Sequence, residues 1–167
     1  WAPWRLSYIV NNAEMSDGEC FLCRYRDAGA DSDADNLVIA RGARTLTLLN
    51  RFPYNNGHLL IAPRDHVADL VDLDSDVLLE CVEGLQEWTR KLRETLSPDG
   101  FNIGLNLGRT AGAGLPGHLH WHIVPRWDGD TNFMPVLGET NLIPQSLESL
   151  YTLLLEPPRS KTVAGGN

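Results

Sequence analysis

No stretch of this chain holds the roughly 18 consecutive apolar residues that a membrane-spanning helix needs, so no helical membrane span is expected. Positive charge is in short supply. Fourteen Lys and Arg stand against 22 Asp and Glu, for a net charge of −8. Broad binding to nucleic acid or to anionic membrane wants a basic surface, so neither partner is expected. A small anionic ligand stays open, because a pocket can gather backbone N–H groups and local positive charge. Cysteine is scarce too. Three residues, Cys20, Cys23 and Cys81, are few and odd in number for a disulfide scaffold. The N-terminus lacks a basic region followed by an apolar segment and a small-residue cleavage site, so no secretory signal is expected. A cytoplasmic location follows as the expectation. Internal repeats are absent. The glycine-rich stretch 107–117 has neither the spacing nor the strand-to-helix context of a dinucleotide or P-loop fingerprint.

What the chain does have is histidine in an ordered place. Gly117-His118-Leu119-His120-Trp121-His122-Ile123-Val124-Pro125-Arg126 alternates imidazole with apolar residues. Period two reads as a half-buried strand. His118, His120 and His122 then share one face, about 7 Å between neighbours, and Leu119, Trp121 and Ile123 pack on a core. A helix would scatter the three rings, and Pro125 would end it. Imidazoles lined up on one strand suit metal, phosphate and proton chemistry.

The 167 residues, 43% hydrophobic, suffice for one ordinary domain with a real core. We expect it over 1–155, with its centre at about 19–135 and a frayed tail over 156–167. Trp1, Trp4 and Tyr8 read as anchors of an N-terminal arm. A short helix over about Glu19–Asp27 carries Cys20 and Cys23. Ala30 to Asn36, with three aspartates, reads as a solvated loop. Leu37–Ala40 and Thr45–Leu49 read as a hairpin around Gly42, and His58–Pro63 as a buried third strand. Asp74 or Ser75 caps a long helix to about Leu96. Its stripe is Leu78, Cys81, Val82, Leu85, Trp88, Leu92 and Leu96, and Glu80 falls on the wet side. The stripe leaves an apolar surface for a second copy, so a homodimer is expected. Phe101–Asn106 alternates as a fourth strand, the histidine run makes a fifth, and Pro144 to about Leu155 is a second amphipathic helix. The sum is an α+β fold with helix packed on antiparallel sheet.

The run His118-Leu-His120-Trp-His122-Ile-Val resembles the signature of the histidine-triad (HIT) superfamily. Asn50-Arg-Phe-Pro-Tyr-Asn-Asn-Gly-His58-Leu-Leu-Ile-Ala-Pro-Arg-Asp-His66 is similar to that family's strand–turn–strand segment. The resemblance covers roughly Glu19 to Pro135. Through Trp127 to Met134 it looks like the Fhit-like branch and the bacterial diadenosine tetraphosphate phosphorylases in it. The resemblance implies a HIT-like five-stranded antiparallel sheet with one long helix and short flanking helices, usually as a homodimer. It implies chemistry at the α-phosphorus of nucleoside phosphates or dinucleoside polyphosphates, with inorganic phosphate or water as acceptor. By position His120 looks like the nucleophile, and His58 and His122 like its helpers at the phosphate. Asn50 looks like a nucleotide contact, and Asn106 like a polar neighbour of the phosphates. One departure matters. Many members carry Gly-Gln-Ser or Gly-Gly-Ser before the triad, whereas this loop reads Ala111-Gly112-Ala113-Gly114-Leu115-Pro116-Gly117. Side-chain donors are absent there, so backbone N–H groups around Gly112 and Gly114 are left to bind phosphate. Arg109 and Arg126 are candidates for added positive charge.

A neutral imidazole attacks phosphorus well and leaves well, so a nucleotidyl-histidine is the expected intermediate. Attack through one ring nitrogen needs the other to hold its proton against an acceptor. Cys20, Cys23, His66 and His118 would make a closed Cys2His2 set, hence a structural zinc, as in some members of the family. No organic cofactor is expected. Two other readings stay open: an open zinc site on all three triad histidines, and a nucleotide-binding module without catalysis.

Overall fold

The computed structural model describes residues 20–131 and 144–156. The N-terminal arm, Asn132–Met134 of the 127–134 resemblance, and nearly all of the expected tail lie outside the described residues. Five strands form one antiparallel sheet in the order β1-β2-β3-β5-β4. They are β1 (Val38–Arg41), β2 (Thr45–Leu49), β3 (Leu59–Pro63), β4 (Gly100–Leu105) and β5 (Trp121–Arg126). Four α-helices accompany them: α1 (Phe21–Asp27), α2 (Asp33–Asn36), α3 (Ser75–Leu96) and α4 (Leu147–Leu155). The expected α+β architecture is present.

Both faces of the sheet are covered, which explains why β2 and β3 are buried along their whole length rather than alternating. On one face Leu49, Leu59, Ile61, Trp121 and Ile123 pack with Val77, Cys81, Trp88 and Leu92 of α3 and with Leu150 and Leu154 of α4. On the other, Leu46, Leu48, Leu60 and Ala62 pack with Leu22 and Tyr25 of α1. The second face continues into the imidazoles, because Leu60 is paired with His122.

Four expectations need correcting. Ala30–Asn36 is not a loop: a 3-10 turn (Ala30–Ser32) leads into α2. Asp33 there is held at 2.6 Å by Arg41 of β1, a tertiary contact that local composition cannot reveal. The fifth strand starts at Trp121, not at His118, so two of the triad histidines precede it. Pro125 lies inside that strand, opposite Phe101 of β4, where β3 no longer pairs with β5. The stripe on α3 does not wait for a second copy. Cys81, Trp88 and Leu92 are buried within the subunit and only Val82 of the stripe is exposed, at 40%, so the stripe offers no broad face for a second copy. Finally, Glu80 is not merely solvated. Its carboxylate accepts from the Arg44 N–H at 2.9 Å and the Thr45 hydroxyl at 2.8 Å, tying α3 to the β1–β2 turn. Among the described residues no helix is long and apolar enough to cross a membrane.

Candidate functional site

His58 lies immediately before β3 and is completely buried, and His120, immediately before β5, is 7% exposed. His122 is the second residue of β5. The rings of His120 and His122 stand 5.0 Å apart, and those of His58 and His122 5.1 Å apart. The residues around Asn50 bring His58 here. The Asn50 N–H donates to the His58 carbonyl at 2.9 Å, extending the β2–β3 ladder by one step. The Asn50 side-chain oxygen accepts from the Phe52 N–H at 2.9 Å, which shapes the turn, and its Nδ2 lies 3.3 Å from His58 Nδ1.

Main-chain partners assign the tautomers. A carbonyl can only accept and a peptide N–H can only donate. His120 Nδ1 lies 2.8 Å from the carbonyl oxygen of His118. Nδ1 therefore carries the proton, and the lone pair of the neutral ring is on Nε2. This is the acceptor that nucleophilic attack requires, and it sits two residues back in the same chain. Burial lowers the affinity of His120 for a second proton. The Tyr54 N–H donates to His58 Nδ1 at 3.0 Å, so His58 carries its proton on Nε2. That nitrogen faces His122 Nδ1 at 2.9 Å and donates to it. Burial, helped by the neighbouring His122 and His120, pushes His58 down to about 3. His58 is therefore a neutral hydrogen-bond donor and not a cation.

His118 belongs to a different constellation. Its Nε2 donates to the Pro63 carbonyl at 2.8 Å, which turns the Nδ1 lone pair toward the thiols of Cys20 at 3.1 Å and Cys23 at 3.6 Å. His66 Nδ1 is 3.3 Å from the Cys23 sulfur. The four ligand atoms all lie within 4.8 Å of one another. Ligands of a tetrahedral zinc at about 2.0–2.3 Å would stand roughly 3.3–3.8 Å apart, so the set fits a metal of that kind. Burial pushes the Cys20 thiol up to about 11, so a thiolate forms there only beside a cation. Helix α1 presents the pair: Cys20 is its N-cap, and its sulfur accepts from the Cys23 N–H. Arg41 holds the far end of α1, donating to the carbonyls of Tyr25, Arg26 and Gly29. The open zinc site on the three triad histidines does not form. His118 points at thiols, His120 Nδ1 at a carbonyl and His122 Nδ1 at His58.

The remaining expected residues lie on β5 and on the segment that joins β4 to it. Asn106 directly follows β4. The β4–β5 register pairs Gly104 with His122 and ends with Leu105 opposite Trp121, so Asn106 and His120 each lie one residue beyond the last pair. Gly108 and Gly112 take φ of 74° and 86°, the left-handed region that glycine tolerates. The Gly112 N–H donates to the Arg109 carbonyl at 3.0 Å, so it is engaged within the loop. Gly114 is exposed. Arg126 is engaged as well, by Asp130 at 2.6 Å and Asn102 at 2.8 Å. Sequence reasoning missed Tyr54, Pro63 and Arg41. The first two act through main-chain groups, which side-chain patterns do not encode.

The HIT domain family model matches residues 31–129. This chain belongs to the HIT family. An AP-4-A phosphorylase of Mycobacterium tuberculosis (strain CDC 1551 / Oshkosh) is 38% identical, over 92% of this chain and 80% of that protein. A HIT-like protein of Saccharolobus solfataricus is 30% identical, over 69% of this chain and 77% of its own length. Among solved structures, a Zn-bound histidine triad family protein from Mycobacterium smegmatis superposes with a TM-score of 0.65 at 28% identity. That match covers 82% of this chain and 91% of the other. The matched segment contains His118, His120 and His122: backbone carbonyls set the tautomers of the first two, and the ring of His58 sets that of the third.

Proposed function

We propose that this chain is a dinucleoside polyphosphate phosphorylase that works through a nucleotidyl-His120 intermediate. The observation that carries the reading is the hydrogen bond from His120 Nδ1 to the His118 carbonyl, which leaves a buried imidazole with its lone pair on Nε2. That nitrogen attacks the α-phosphorus. A P–N bond forms, the P–O bond to the bridging oxygen breaks, and the rest of the substrate leaves as a nucleoside polyphosphate, ATP in the case of diadenosine tetraphosphate. Inorganic phosphate then attacks the same phosphorus, a new P–O bond forms, and the P–N bond breaks. His122, with His58 behind it, donates hydrogen bonds to the charge that grows on the phosphate oxygens. Asn50 contacts the nucleoside, Asn106 the phosphates, and the backbone of the Gly108–Gly117 loop, Gly114 included, cradles the anion. The engaged Gly112 N–H contributes after the loop adjusts. Phosphate rather than water as acceptor is supported by the 38% identity to an AP-4-A phosphorylase.

Cys20, Cys23, His66 and His118 hold one zinc in this reading. Two thiolates and two neutral imidazoles suit that ion, and a Zn-bound relative shares the fold. When bound, zinc stabilises the thiolates and braces His118. Three cysteines of which none is disulfide-bonded suit a cytoplasmic, reducing location. The chain forms one HIT-like domain and pairs with a second copy through β4. That strand is a sheet edge, with Ile103 47% exposed, and an open edge is a template for another strand.

Product analysis with diadenosine tetraphosphate tests the reading. Phosphate-dependent formation of ATP plus ADP is expected. ATP plus AMP at a rate indifferent to added phosphate would show the hydrolase alternative.

A further inference from the structure

We infer that Tyr54 is a positioning residue for the phosphate-facing pair His58–His122, an inference that rests on the reading of these rings as donors to phosphate. Tyr54 reaches the pair in two ways. Its main-chain N–H is 3.0 Å from His58 Nδ1. Its ring lies 4.6 Å from the His58 ring, and 5.8 Å from the His122 ring at an interplanar angle of 19°, a stacked arrangement. Tyr54 is 40% exposed, so the residue borders the site rather than filling the core.

The consequence is a fixed direction of proton donation. The Tyr54 N–H claims the lone pair of His58 Nδ1, so the His58 proton sits on Nε2 and is donated to His122 Nδ1 at 2.9 Å. A neutral His122 must then carry its own proton on Nε2. Both rings thereby act as donors without being cations, as the burial of His58 demands. The tyrosine ring keeps the two imidazole planes in the orientation in which this chain of donors is continuous. A small displacement of such a group costs rate rather than affinity, because the donors matter most where charge develops.

Kinetics of Tyr54→Ala and Tyr54→Phe, together with nitrogen NMR of labelled imidazoles in the wild-type protein, test this. Expected for Tyr54→Ala is a kcat at least about tenfold lower, with KM changed by less than about threefold. Tyr54→Phe keeps the ring and restores kcat to within about twofold. The wild-type spectrum shows His58 protonated on Nε2 alone. An unchanged kcat in the alanine variant would overturn the inference. So would a raised KM at full kcat, which would make Tyr54 a substrate contact, or a phenylalanine variant as poor as alanine. Should Tyr54→Ala not fold, a wild-type His58 proton on Nδ1 still refutes it. Failure of the wild-type enzyme to cleave dinucleoside polyphosphates would sink the functional reading instead, and the tautomer measurement stands apart from that.

Discussion

His58 shows how far one side chain's surroundings can depart from its ordinary chemistry. Completely buried and pushed down to about 3, it stays neutral in the native protein, while in the unfolded chain it titrates near its usual value of about 6.5. Between these values the unfolded state binds more protons, so stability rises with pH across the window. The contribution is fully present above about pH 6.5 and is lost as pH falls toward 3. Melting temperature should therefore drop over this range, with a slope from this site of at most about 1.4 kcal/mol per pH unit. His58→Asn should flatten the profile. Thermal melts of both proteins across that range check it, and parallel profiles would mean that His58 is not held neutral. At this scale the candidate residues were legible: alternation put His120 and His122 side by side, and the family resemblance, not spacing, pointed to His58, whose ring stands 5.1 Å from that of His122. Their tautomers were not, because the deciding partners are the main-chain atoms of His118 and Tyr54.

Among the elements, α1 and the segment after it carry the most consequence. A short helix carrying Cys20 and Cys23 was expected over about Glu19–Asp27, and α1 exists, but what holds it in place was invisible. Arg41 donates to three carbonyls at and beyond the end of α1 and to both oxygens of Asp33. The chain runs 8–16 residues between Arg41 and these partners, and no local pattern announces such a clamp. Arg41→Ala leaves Asp33 and the carbonyls without their donor, at a cost of about 2–4 kcal/mol. Since α1 presents both thiols, the same change should weaken zinc retention. We expect about one zinc per chain in protein purified without chelator, and faster loss of zinc to a chelator from the variant. Zinc-free wild-type protein of full stability would contradict the metal assignment. The strand boundaries teach a related lesson. Period-two alternation from His118 onward is real, yet pairing with β4 and β3 begins only at Trp121. Before that point the chain is held by the Leu119 N–H on the Val67 carbonyl at 2.7 Å and by the ring of His118 on Pro63.

For the whole molecule, the sheet order could not be read from the chain, but its outcome governs assembly. The central strands β2, β3 and β5 are covered on both faces, and β4 is left at the edge with Asn102, Ile103 and Gly104 exposed. The expectation of a homodimer therefore moves from α3, whose apolar stripe apart from Val82 is used internally, to β4. Light scattering should give twice the chain mass of 18.5 kDa. Ile103→Lys, placed on the open edge, should shift the protein toward monomer with its fold retained. A dimer untouched by that change would place the interface elsewhere, and a single chain mass at all concentrations would remove it. Two layers of core also explain how the site is built. The face bearing α1 supplies the metal ligands and the imidazoles together, so His118 joins them: its ring faces the thiols, while its carbonyl sets the tautomer of His120. That shared residue places the nucleophile at the centre of the account. Its most direct test is brief incubation with diadenosine tetraphosphate labelled at the α-phosphorus, a cold quench that preserves phosphoramidates, and peptide mapping. The account predicts label on His120, discharged as ADP when inorganic phosphate is added, and none in His120→Ala. Turnover without covalent label, or label on another residue, would contradict it.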